Sequence, residues 1–190
     1  MKVLELNSQI GFFKNYEEDF LKDEEEGAVI TVLDNTEVLY SEEIPCDKEY
    51  CIKNNISFDT GKINNSGTFV GVKGSIVLTL KKHNNVSNEN LSMLFSNALC
   101  EYLKNRGLNS TRCDNNDVLV DNFKVASGIY TQIGCWRYMG YQISINQDID
   151  LIKTVCLKPM IKIPKALSDY GITTEEIVSF CKDFVKQWTD

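Results

Sequence analysis

Lys124 is the residue in this chain most suited to chemistry. It follows the polar pair Asn116-Asp117 and precedes the small residues Ser127-Gly128. A lysine ammonium is a compact positive charge that stabilises negative charge developing on a reacting oxygen. An aspartate can hold a hard metal ion, which takes oxygen ligands and needs only one or two carboxylates. An asparagine beside it can hydrogen-bond a polar ligand, and backbone N–H groups near Ser127-Gly128 can complete an anion site. The stretch reads as a hairpin. Val118-Leu119-Val120 is a short apolar strand, Asp121-Asn122 a turn dipeptide, and Phe123 to Tyr130 a returning strand broken by Ser127-Gly128. At period 2 Lys124 shares a face with Ala126 and Gly128, a surface low enough for a flat ligand. Arg112, just before the hairpin, is a further candidate to face the site.

The rest of the chain must hold that hairpin in place. Leu91, Leu94, Phe95, Ala98, Leu99, Tyr102 and Leu103 recur at helical spacing, which predicts an amphipathic helix begun at Ser87 or Asn88 and stopped by Gly107. Thr173-Thr174-Glu175-Glu176 is a capping box, and Ile177, Phe180, Cys181, Phe184, Val185 and Trp188 give the last helix its apolar face. Shorter helices are expected over 16–22, 47–55 and 148–156. Strands are expected at 3–6, 28–33, 37–40, 56–58, 75–80 and 141–145, with a strand pair joined at or before Gly140. Pro159 and Pro164 bound an extended piece. The segment 61–74 is rich in turn formers, where glycine lets backbone approach a ligand, and by itself it reads as a hairpin turning at Lys73-Gly74.

The pattern of Asn116, Asp117, Leu119, Val120, Lys124, Val125, Ser127 and Gly128 resembles the biotin and lipoate protein ligases, in which an Asn-Asp strand precedes an essential lysine. The resemblance runs upstream to Asn65-Ser66-Gly67-Thr68-Phe69-Val70, matching the glycine-rich strand-turn of lipoate ligases, and downstream from Met139 to Phe184. It implies an α+β domain, a mainly antiparallel mixed β-sheet with packed helices, occupying 1–190 as one unit without a C-terminal accessory domain. It also implies an ATP-dependent lipoate or octanoate ligase that forms an acyl-adenylate and transfers the acyl group to a lysine of an acceptor domain. Lys124 would then bridge the acid and the α-phosphate. Asp117 would hold Mg²⁺, while Asn116, Gly67, Thr68, Ser127 and Gly128 line the substrate and nucleotide site. The expected ligands are ATP, Mg²⁺ and lipoate or a related acid, biotin included. The expected partners are a lipoyl-acceptor domain and a separate accessory subunit.

Two other readings belong to the same fold. The segment near Gly67 carries Lys62 where ligases have an arginine pair, and keeps one glycine of their run, which suits a ligand-binding or regulatory protein without catalysis. An acyl-carrier-dependent lipoyl or octanoyl transferase would need a nucleophilic cysteine. In the transferases that thiol precedes Gly-Ile, whereas this chain has Tyr170 before Gly171-Ile172, so the ligase ranks first unless another cysteine reaches Lys124.

Composition narrows the partners. The chain has 190 residues, 43% of them hydrophobic, enough for one sizeable core. A net charge of −7 without long basic runs argues against nucleic acid and anionic membrane surfaces. The acidic run Asp23 to Glu26 reads as a solvated loop. Seven cysteines without a Cys-x-x-Cys, and a single histidine, His83, fit a reducing compartment. Only Cys46 and Cys51 approach ligand spacing, and they read as small buried hydrophobes rather than zinc ligands. With no signal-like or membrane-length apolar run, a cytoplasmic location is expected.

Overall fold

The computed structural model describes residues 2–40, 46–60, 69–83, 91–113, 115–157 and 162–187. A seven-stranded mixed sheet runs through the molecule. Its strands are β1 (Lys2–Leu6), β2 (Gly27–Val32), β6 (Ile76–His83), β10 (Trp136–Ile143), β9 (Phe123–Ile133), β8 (Val118–Val120) and β7 (Ser110–Arg112), in that spatial order. Only the β1–β2 pair is parallel. A second sheet has the order β4 (Ser57–Thr60), β3 (Glu37–Tyr40), β5 (Phe69–Gly71). Thus β5 pairs with β3, and the turn at Lys73-Gly74 links two sheets instead of closing a hairpin, correcting that expectation.

Two helices cover one face of the large sheet: α4 (Leu91–Asn105) and α6 (Thr174–Lys186). Their apolar stripes meet Leu78, Leu80, Met139 and Tyr141 in the main core, and the Phe95 ring lies 4.8 Å from that of Tyr141. Gly107, at φ 80°, ends α4: its N–H donates to Lys104 and that of Leu108 to Leu103, as in a Schellman motif. The capping box on α6 forms, with Thr173 accepting from the Glu176 N–H and Glu176 accepting from the Thr173 N–H.

The opposite face is covered in two parts. The short helices α1 (Gln9–Asn15) and α2 (Glu17–Lys22) bring Phe20 against Gly27 and the buried Lys81. Lys81 donates to the carbonyls of Phe20 and Asp23 and lies over the Trp136 ring. The small sheet, α3 (Lys48–Lys53) and α5 (Ile149–Val155) build a second core from Val38, Cys46, Cys51, Val70, Ile152 and Val155. Gln142 Nε2 donates to the Val70 carbonyl at 3.0 Å, which ties that unit to the large sheet beside β9. No helix among the described residues is long and apolar enough to cross a membrane.

Candidate functional site

The hairpin that carries Lys124 forms where its sequence predicts. Asp121 and Asn122 both take positive φ, 50° and 68°, as a two-residue type I′ turn requires, and Asx residues tolerate this. One detail differs from expectation: β9 is one continuous strand, unbroken at Ser127-Gly128. The turn that joins it to β10 is at Gly134-Cys135, before Gly140, as expected, and Gly140 lies inside β10.

The alternation along β9 also changes phase. Val118 pairs with Ala126 while the next residue, Leu119, pairs with Lys124, so Val125 is an extra residue on β9. Val125 and Ala126 are both buried in the main core, while Lys124 remains half-buried. Such a β-bulge re-aims the side chains on one side of it. Lys124 is therefore not on the face of Ala126 and Gly128, contrary to the simple period of two. Gly128 lies across from Tyr141 on the helix-covered face, where an added Cβ would come within 2.1 Å of the tyrosine ring. Lys124 and Ser127 share the other face. Across that face run the rows Thr31, Val77, Gln142, Ser127 and Val29, Thr79, Gly140, Ile129.

Lys124 is held at both backbone groups. Its N–H donates to Ile163 O, and its carbonyl accepts from the Lys165 N–H, each at 2.9 Å. This makes a short parallel bridge centred on Pro164. The segment that forms this bridge supplies two further cations, Lys162 before it and Lys165 at its end. Lys165 Nζ lies over the rings of Tyr170 and Phe123, at 4.4 and 5.1 Å. Lys162 Nζ is 2.8 Å from Asp117 Oδ2 and 3.2 Å from Asn115 Oδ1. Burial opposes the charged form of Lys162, but the hydrogen bond and charge of Asp117 prevail and raise its pKa.

Asn116 and Asp117 form the turn before β8. Asn116 takes φ 63°, its Oδ1 accepts from Arg112 Nη1 at 3.1 Å, and its carbonyl accepts from the Tyr141 hydroxyl. Burial, with the Asp117 charge adding to it, pushes the Tyr141 phenol far up, so it remains a donor. Asp117 is buried, and its Oδ2 also accepts from Asn115 Nδ2. Both residues thus brace the hairpin. Arg112 is exposed and serves Asn116. Gly67 and Thr68 lie outside the described residues.

Cys156, at the end of α5, stands where the Lys124 charge reaches it: burial pushes its thiol pKa up and Lys124 partly offsets the rise. Neither Cys156 nor Lys162 and Lys165 was legible as part of the site. The Ile-Lys-Ile-Pro-Lys run announces an extended piece, but not the strand beside which it lies.

No family profile matches the sequence, and no curated protein matches it. Solved structures do. A bipartite lipoate protein ligase from Thermoplasma acidophilum, described with its E2 lipoyl domain, superposes with a TM-score of 0.77 at 14% identity, over 96% of this chain and 82% of that one. A lipoate-protein ligase A bound with ATP gives 0.74 at 14% identity, over 95% and 83%. The fold is that of the biotin and lipoate protein ligases. A biotin protein ligase mutant from Aquifex aeolicus in complex with biotin, at a TM-score of 0.58, 12% identity and coverage of 99% and 71%, is a more distant example. Within this ligase fold the bulge at Val125 sets the one half-buried lysine of β9 against the side opposite α4 and α6.

Proposed function

We propose that the protein is a lipoate or octanoate protein ligase that uses ATP to form an acyl-adenylate and passes the acyl group to a lysine of a lipoyl-acceptor domain. The observation that carries this reading is the placement of Lys124, turned by the bulge to the face it shares with Ser127 and fixed by two backbone hydrogen bonds. Adenylation builds negative charge between the acid's carboxylate and the α-phosphate. A preorganised ammonium stabilises that charge more in the transition state than in the ground state. Ser127 offers a hydroxyl on the same face. Lys162 and Lys165 flank the segment that clamps Lys124 and anchor it, one to Asp117 and the other over Tyr170 and Phe123. The solved ligases of this fold support the substrate class, the archaeal ligase with its lipoyl domain supports the acceptor, and its bipartite nature suits a separate accessory subunit.

Asp117 already has a cation in Lys162, whose ammonium stands 2.8 Å from its Oδ2 where a metal ion would bind. The residues present therefore do not build a magnesium site around Asp117, whose part is to hold Lys162.

The test is acid-dependent release of pyrophosphate from ATP and Mg²⁺, with lipoate, octanoate and biotin in turn, for the wild type and Lys124→Ala. Release with lipoate or octanoate that disappears in the variant is the expected result. Release with biotin alone changes the substrate, and no release from folded protein refutes adenylation. A second reading, thiol-dependent acyl transfer, would use Cys156, a half-buried thiol at the end of α5 whose pKa burial raises and the Lys124 charge lowers. An acyl-enzyme cleaved by hydroxylamine would establish it in place of the ligase.

A further inference from the structure

Three of the seven cysteines, Cys46 and Cys51 from one segment and Cys156 from a distant one, meet in the second core. Cys46 and Cys156 face one another as an isolated antiparallel bridge. The Asp47 N–H donates to Val155 O at 3.0 Å, so this bond flanks the cysteine pair instead of joining the two residues. That identifies a non-hydrogen-bonded pair, in which Cα atoms stand about 4.5 Å apart with side chains on the same side. Disulfides span Cα separations of roughly 4.4–6.8 Å, so the backbone needs little adjustment to close one here. Cys51, fully buried, lies in the same core as Cys46. All three are free thiols, and Cys156 is the half-buried member.

We propose that Cys46 and Cys156 form a reversible disulfide, an oxidative modification site at the edge of the second core. The exchange runs with a low-molecular-weight disulfide such as oxidised glutathione. The more accessible Cys156, as thiolate, attacks one sulfur of glutathione disulfide and displaces one glutathione thiolate. Cys46 loses its proton and attacks the Cys156 sulfur, expelling the second glutathione. Two protein thiols are oxidised by two electrons, and one glutathione disulfide becomes two thiols. Lys124 promotes the first step by favouring the Cys156 thiolate against burial. Cys51 is a bystander in this exchange: burial, then the neighbouring Cys46, push its thiol pKa up to about 11. The bond would tie the end of α5 to the segment before α3 and consume the Cys156 thiol.

The experiment incubates the folded protein with oxidised glutathione, blocks remaining thiols and maps peptides without reduction. It uses wild type, Cys51→Ser, Cys156→Ser and Lys124→Met. The expected result is a Cys46–Cys156 linkage in wild type and Cys51→Ser, reversed by a dithiol reductant and absent from Cys156→Ser. It should form severalfold more slowly in Lys124→Met at neutral pH. A Cys46–Cys51 linkage, stable glutathione adducts without an internal bond, or unreacted thiols would overturn the proposal. An unchanged rate in Lys124→Met would overturn the coupling to the site. None of these readouts depends on which acid the protein activates, or on whether it activates one.

Discussion

Replacing Gly128 by alanine separates two accounts of the hairpin. If Gly128 floors a ligand surface, as regular alternation from Lys124 suggests, an added methyl group would weaken ligand binding and leave the folded state alone. The bulge at Val125 instead turns Gly128 toward Tyr141. The new Cβ would fall 2.1 and 2.5 Å from two ring carbons, where no real contact exists. Tyr141 cannot step aside: it is fully buried, packs 4.8 Å from Phe95, and donates its hydroxyl to Asn116 O. Overpacking of this kind costs about 1–3 kcal/mol, and pulling the hydroxyl off its acceptor costs on the order of 1 kcal/mol more. The conformational gain of alanine over glycine in a strand returns only roughly 0.5–1 kcal/mol. A net loss of about 1–3.5 kcal/mol corresponds to a fall in Tm of roughly 2–14 °C for a chain of this size. Thermal denaturation followed by circular dichroism, checked with urea, measures it. A variant with unchanged Tm and impaired acid-dependent activity would refute the bulge's phase and return Gly128 to the ligand face.

The remaining predictions concern the braces of the site and of α6. Lys162→Met leaves the buried Asp117 without its cation and should destabilise the fold by about 1–3 kcal/mol, while Lys162→Arg should restore most of the loss; equal stability of all three proteins in urea would show the pair to be ornamental. The Lys162 pKa is raised on folding, so its contribution is fully present below the unfolded value of 10.5 and is lost as pH rises through the folded value. Alkaline denaturation of wild type should therefore be steeper there than that of Lys162→Met. Thr173→Ala removes the side-chain half of the α6 capping box and should cost about 1 kcal/mol. Glu176 is the depressed member of that box, held down first by the Thr173 N–H and then by Arg106. Its contribution is present above its ordinary value of 4.5 and is lost as pH falls through the folded value. Glu176→Gln should accordingly flatten the acid limb of the stability curve, and an unaltered limb would refute the assignment.

What could be read in the sequence is what local physics determines. The α4 stripe, the Thr173–Glu176 box, the Asp47 and Asp148 helix starts and the Asp121-Asn122 turn each depend on neighbours within a few residues, and each forms as expected. The helix α1 was missed because Gln9–Asn15 is short and its Ser8 cap carries no charge signal. The sheet to which β5 belongs could not be read, since pairing with β3 is a long-range event that leaves no trace in the turn at Lys73-Gly74. The bulge escaped for a related reason. Val125 and Ala126 are both apolar, and a run of apolar residues does not disclose that two of them face the same way. Lys124 was identified by its type and surroundings, and its direction by neither. Asn116 and Asp117 were found as polar residues near the lysine, but a turn brace and a ligand contact have the same sequence signature.

The bulge and the parallel clamp are best understood together. A bulge alone leaves a strand twisted and short of one ladder partner. In this chain the 163–165 segment takes up Lys124's backbone N–H and carbonyl on the far side, so the distortion is held by two hydrogen bonds and not left to fluctuate. Lys162, one residue before the clamp, is pinned to Asp117 on the turn that begins β8, and Lys165, at its end, is seated over Tyr170 and Phe123. The lysine expected to do chemistry is thus fixed by contacts made on both sides of the hairpin by one short segment. The charge of Asp117 is spent on that fixation. The Asn116-Asp117 pair thereby helps to set the lysine's position, and in an active site a misplacement of about 1 Å can cost a hundredfold in rate.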